Sequence, residues 1–221
     1  SFDEDGAVVF ADGLIAAVGP ADKMLANHAD GTLHHYPRAL IAPGFIDAHV
    51  HYPQTGIIGA WGRQLIDWLN RYTFPEEMRF ADPIHAQSMA RLFFAEQLRN
   101  GFTTCASFCT IHPVSVDAFF EEATRLGVRA VGGKVMMDRN APSGLLDDAQ
   151  TGHDESAALI DRWHGRQRLS YAISPRFAPT SSPEQLEASW ALWSAHRDCL
   201  LQTHLSETIA ELDWVAGLFP A

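Results

Sequence analysis

From Leu40 onward the chain alternates short apolar runs with helix-patterned segments, and this alternation restricts its fold more than any other feature. Apolar runs separated by helical patterns mark βα units, in which parallel strands are joined by crossover helices. Strands are expected from Leu40 to the pair His49 and His51, then over Thr103–Cys109, Val128–Met137, Leu169–Ala178 and Cys199–His204. Helices are expected over Ile84–Arg99 with Gly101 as a C-cap, over Val116–Leu126 ended by Gly127, and over Ser156–Gln167. Two more follow, one opened by Ser182 as N-cap with Pro183 at its first position and running to about Arg197, the other from Thr208 to Leu218. The segment Gly59–Asp82 carries Trp61, Trp68, Tyr72 and Phe74 and is too long for a plain connection, so it reads as a functional loop. Ahead of all this, residues 1–39 read as β-rich: Ala7–Ala11 and Leu14–Val18 flank Asp12-Gly13, a dipeptide suited to a type I′ hairpin turn.

Composition narrows the partners. With 47% hydrophobic and 19% charged residues over 221 positions, the chain can bury a core. A formal net charge of −11 sets it against nucleic acid and anionic membranes, which would repel it, and leaves small neutral substrates open. No apolar run reaches the roughly 18 residues of a membrane span, and the start Ser1-Phe2-Asp3-Glu4-Asp5 is acidic where an export signal is basic. Cys105, Cys109 and Cys199 are an odd set with no CxxC spacing, which suits buried free thiols in a reducing, cytoplasmic compartment better than disulfides or a cysteine zinc site.

In an extended strand alternate side chains share a face, so His49 and His51 can converge on one cation while Val50 points away. Alone, such a pair does not define a site, which needs three or four ligands. Its context is Pro43-Gly44-Phe45-Ile46-Asp47-Ala48-His49-Val50-His51, and this run resembles the first barrel strand of the amidohydrolase superfamily. The resemblance implies a fold class of α/β, a TIM-type (β/α)8 barrel with about the first five βα units present over residues 40–221. It also implies that residues 1–39 are part of a composite β-sandwich, normally completed by strands from a far C-terminus. The chain is therefore expected to be an N-terminal part of a longer enzyme.

Barrel active sites lie at the C-terminal ends of the strands, so His204, closing the fifth, is placed on the same mouth as His49 and His51. Glu207, a short way beyond, can reach a substrate and move a proton without binding the metal. At the end of the fourth strand Arg176 offers a planar fork of donors and Phe177 a flat apolar face. Gln54, just after His51, offers both a donor and an acceptor to an amide-like ring edge.

Within the superfamily the chain resembles the guanine deaminases. The resemblance rests on HYPQ at His51–Gln54, WLNRYTFPEE at Trp68–Glu77, NGFTTCASFCTIHP at Asn100–Pro113, VGGKVMMDRN at Val131–Asn140, SPRFAP at Ser174–Pro179 and QTHLSE at Gln202–Glu207. It implies metal ligation by His49, His51 and His204, with zinc first and iron as the alternative, one ion per subunit. His51, Gln54, Arg176, Phe177 and His204 are implied in binding guanine, Glu207 in proton transfer, and a homodimer as the assembly. The implied reaction is hydrolytic deamination of guanine to xanthine and ammonia. The family also uses a His and an Asp from later strands, outside the motifs matched here. Competing expectations are a relative acting on a triazine, pterin or adenosine derivative, a non-catalytic protein on the same scaffold, and an inert fragment.

Overall fold

The computed structural model of the protein describes residues 4–62 and 64–220. Residues 1–3 of the β-rich segment, Arg63 in the long connection and Ala221 lie outside the described residues. The chain divides into two compact units, Ser1–Pro43 and Gly44–Ala221.

In the first unit, strands β1 (Gly6–Ala11) and β2 (Leu14–Pro20) pair antiparallel. Asp12 and Gly13 take φ of 52° and 77°, the positive values that both central positions of a type I′ turn require. A short helix, α1 (Ala21–Asn27), follows. Phe10, Leu14, Ile15 and Val18 stay exposed although α1 packs against both strands.

The second unit is built on a parallel sheet. Its strands are β3 (Phe45–His51), β4 (Phe102–Phe108), β5 (Arg129–Gly133), β6 (Val135–Met136), β7 (Leu169–Pro175) and β8 (Leu200–Leu201). β3 pairs with β4, β4 with β5, both β5 and β6 with β7, and β7 with β8, all parallel. The expected third strand is thus broken at Lys134. There the backbone N–H donates to the Tyr171 hydroxyl (3.1 Å), while Val135 N–H donates to the Thr110 carbonyl (3.0 Å). Side-chain competition for a ladder donor is invisible to strand periodicity. Just before the break, a Cβ on Gly133 would lie 1.9 Å from the Ala172 carbonyl oxygen, so the close approach of β5 to β7 admits only glycine.

The segment read as a loop is largely helical. It contains α2 (Leu65–Trp68), a π-helical turn (Leu69–Thr73), α3 (Phe74–Met78) and a 3-10 turn (Arg79–Ala81). Burial of Leu69, Phe74 and Phe80 organises it, and the π-helical turn immediately precedes Pro75, whose missing N–H cannot continue the helical ladder.

The crossover helices are α4 (Pro83–Arg99), α5 (Pro113–Leu126), α6 (Ala149–Trp163) and α7 (Pro183–Ala195), with α8 (Ile209–Leu218) after β8. Ser182 caps α7 as expected, accepting from Gln185 N–H at 3.1 Å, and Gly127 ends α5 in the left-handed region. α6 begins about two turns before the expected Ser156. Asp148 caps it by accepting from Thr151 N–H at 2.7 Å, and a polar first stretch containing Gly152 conceals that start from any apolar pattern.

Against the sheet, α4 and α5 enclose an aromatic cluster that includes Tyr52, Phe80, Phe93, Phe94, Phe119 and Phe120. Phe119 is fully buried, with ring centroids 5.3 Å from Tyr52, 5.1 Å from Phe94 and 5.4 Å from Phe120. The Tyr52 hydroxyl donates to the Ser115 carbonyl, and Tyr52 N–H to Ser107 Oγ (3.1 Å), which fixes the chain immediately after His51. Phe119→Ala in the intact protein is expected to lower unfolding free energy by about 3–5 kcal/mol, through lost transfer energy and the cavity left behind. Chemical denaturation checks it; a loss below about 1 kcal/mol would mean that the cluster collapses into the gap.

Candidate metal and substrate site

His49 and His51 close β3 on one face, while Val50 packs against the core. His204 follows β8 on an extended stretch held to the end of β7. Its backbone N–H and its Nδ1–H both donate to the Arg176 carbonyl, at 2.9 Å and 2.8 Å. Since a carbonyl only accepts, this bond fixes the tautomer and leaves Nε2 as a lone pair. One ring nitrogen from each of His49, His51 and His204 lies within 4.8 Å of the others. The Nε2 atoms of His51 and His204 face each other at 3.0 Å.

Two imidazole lone pairs at that separation repel unless a proton or a cation lies between them. Burial, then the positive charge of Arg176 and the neighbouring imidazoles, pushes His51 well below the usual histidine range. Burial likewise holds His204 down to about 4, against the carbonyl hydrogen bond that favours its charged form. Phe108 at the end of β4 stacks on His51 with ring centroids 4.9 Å apart and lies 4.4 Å from His204, giving the cluster an apolar floor. The lowered proton affinity of His51 and His204, the fixed tautomer of His204 and the convergence of three ring nitrogens fit a resident divalent cation as the shared acceptor of lone pairs.

Gln54 sits in the 3-10 turn Tyr52–Ile57 that follows His51. Arg176 and Phe177 follow β7 and are both buried. Arg176 donates from both terminal nitrogens to Glu77, at 2.7 Å and 3.2 Å, and Gln54 Nε2 approaches the same carboxylate at 3.4 Å. The Phe74 ring lies 5.6 Å from the Arg176 guanidinium carbon.

Glu207 precedes α8. The carboxylate of buried Glu211 accepts from Ser206 N–H (3.1 Å) and Glu207 N–H (2.7 Å), and Thr208 Oγ1 accepts from Glu211 N–H (3.1 Å). This is a capping box displaced toward the strand end. It steadies Ser206, a non-glycine residue at φ 57°. Desolvation first, and then the charge of Glu211, raise the Glu207 carboxyl above its ordinary range, against the pull of His49 and Arg176.

His49, His51, Gln54, Arg176, Phe177, His204 and Glu207, singled out from sequence, all line one cleft of about 180 Å³. Leu65, Trp68 and Leu69 supply its apolar wall, so the segment taken for a loop is part of the site. Sequence reasoning missed Phe108, Glu77 and Glu211 as site residues. Only Glu211 left a local signal, the Thr-x-x-Glu spacing from Thr208. A second donor cluster, His164, Asp198 and Cys199, is poorly suited to metal: His164 Nδ1 accepts from Tyr171 N–H (3.0 Å), which leaves the proton on Nε2, bonded to Asp198 (3.1 Å). The thiols are unreactive, burial pushing Cys105 up to about 12 and Cys199 up to about 11.

A model described as the amidohydrolase family matches residues 40–221. The chain belongs to the amidohydrolase family. As an amidohydrolase it has the parallel βα architecture of the (β/α)8 barrel class, and the family is typically metal-dependent. Its sequence is 51% identical over 185 residues to guanine deaminase of Escherichia coli (strain K12), covering 84% of this chain and 42% of that protein. The solved structure of the E. coli guanine deaminase superposes with a TM-score of 0.91 at 43% identity, over 100% of this chain and 51% of that one. A C. acetobutylicum guanine deaminase, solved with guanine in its active site, gives a TM-score of 0.87 at 31% identity over 96% and 50%. This amidohydrolase chain spans about half the length of the curated relatives it matches. Among the described residues no helix is long and apolar enough to cross a membrane.

Proposed function

We propose that this amidohydrolase chain carries the metal-binding and purine-recognition residues of a guanine deaminase, which converts guanine and water to xanthine and ammonia. The supporting observation is that a three-histidine cluster shares one cleft with the Arg176 and Gln54 donors and the Phe177 ring. His49, His51 and His204 would hold the cation, zinc before iron for an imidazole donor set. When bound, it supplies a Lewis acid that activates water near neutral pH.

The chain's own residues do the rest. Arg176 and Gln54 hydrogen-bond the carbonyl and ring nitrogens of the purine's amide edge, and Phe177 packs on its face. Leu65, Trp68 and Leu69 exclude bulk water, which strengthens those bonds. Glu207, held by Glu211 at the backbone, gives a proton to the ring nitrogen beside the attacked carbon, takes one back from the hydroxyl added to that carbon, and delivers it to the amine as the C–N bond breaks and the carbonyl forms. In the same reading residues 1–39 form part of a composite β-sandwich and residues 40–221 the N-terminal part of the barrel. The protein acts as a cytoplasmic homodimer in purine catabolism; the three buried free thiols suit a reducing compartment.

Ammonia release from guanine by the intact, metal-loaded protein tests the assignment. Arg176→Met should lower kcat/KM for guanine at least about 100-fold, because charge-assisted bonds to the substrate edge are lost. A folded, metal-loaded wild type that releases no ammonia from guanine would redirect the assignment to triazine, pterin or adenosine-type substrates. Unchanged guanine turnover in Arg176→Met would remove Arg176 from recognition.

A further inference from the structure

Glu77 has no part in the chemistry described above, yet it is fully buried behind Arg176 and Gln54, which line the cleft. It lies on α3, in the segment that sequence patterning assigns to a loop. A carboxylate stripped of water is stable only when its oxygens are fully engaged. Here Oε2 accepts from one Arg176 terminal nitrogen at 2.7 Å, and Oε1 accepts from the other at 3.2 Å and from Gln54 Nε2 at 3.4 Å. Gln54 comes from the turn after β3 and Arg176 from the end of β7, so their contact through Glu77 fixes two separately mounted groups relative to each other. The guanidinium keeps further N–H donors for a ligand, since it carries more donors than the paired carboxylate occupies.

The charge consequence is as direct as the geometric one. An unpaired guanidinium in a desolvated cleft would recruit an anion, whereas one already neutralised presents donors without net charge. Resting on the purine-recognition reading of the cleft, we propose that Glu77 is a positioning and specificity-determining residue. It locks Arg176 and Gln54 into one donor array and cancels the guanidinium charge, so that the cleft selects an uncharged purine amide edge over an anionic purine.

Calorimetric titration of the intact protein with two purines tests this. Hypoxanthine is neutral, has the amide edge and has no amine to lose; urate is anionic. The wild type is expected to favour hypoxanthine. Glu77→Gln keeps the shape and removes the charge, and should weaken hypoxanthine at least about tenfold while tightening urate. Glu77→Asp keeps the charge and withdraws the carboxylate, and should weaken hypoxanthine while urate stays excluded. A merely structural Glu77 would lower stability in both variants and leave the ratio of the two affinities unchanged, and that result overturns the proposal. If Glu77→Gln does not fold, wild-type hypoxanthine affinity in Glu77→Asp overturns the positioning role. A wild type that binds hypoxanthine selectively, with the expected changes in both variants, but releases no ammonia from guanine overturns the deaminase assignment and leaves the role of Glu77 standing. Binding of neither purine by the wild type overturns both.

Discussion

Glu207→Gln in the intact protein is expected to lower guanine turnover by about 10²–10⁴-fold, the range of a positioned acid or base, with bound metal at the wild-type level. The amide keeps the size of the side chain and cannot exchange a proton. The backbone of Glu207 is fixed independently, by Glu211 at 2.7 Å, so the loop need not move on substitution. The raised affinity of Glu207 for its proton, from burial and the Glu211 charge, favours the protonated form that donates. Steady-state ammonia release together with elemental analysis of the same samples decides the matter. Loss of metal in Glu207→Gln would place Glu207 among the ligands, and unchanged turnover would remove it from proton transfer.

His204→Ala is the second substitution with a large expected effect. It removes one of three converging ring nitrogens and leaves His51 Nε2 without the neighbour that faces it at 3.0 Å. Metal affinity should fall by more than the roughly 10- to 100-fold that follows loss of a ligand's outer partner, and guanine turnover should fall to background. Added metal at high concentration should restore turnover in part. Full occupancy after dialysis, measured by elemental analysis, would mean that the cation is held elsewhere. The fold should survive, because the backbone N–H of residue 204 still bonds the Arg176 carbonyl.

Much of the scaffold was legible because its signals are local. Asp12-Gly13 sets its turn by backbone preference, and Ser182-Pro183 and Gly127 mark helix ends by chemistry that acts within a few residues. The convergence of His49 and His51 follows from the two-residue period of a strand, and the mouth shared with His204 follows from parallel strands that all end on one side. The misplaced elements share an opposite cause. α6 starts on polar residues, the third strand breaks where the Tyr171 hydroxyl takes the Lys134 N–H, and α2 and α3 are organised by burial of Leu69 and Phe74.

The parallel βα class, the hairpin ahead of it, and the side chains chemically able to bind a metal, hold a flat ring or move a proton are all written in short stretches of sequence. How those side chains are aimed depends on contacts between distant segments. Arg176 and Glu77 are separated by 99 positions and meet as a buried ion pair; Phe108 becomes the floor of a histidine cluster assembled from residues 153 positions apart. Local propensity reflects interactions within a turn or a strand pleat. The orientation of a buried donor is set by whichever distant group can satisfy it once water is excluded.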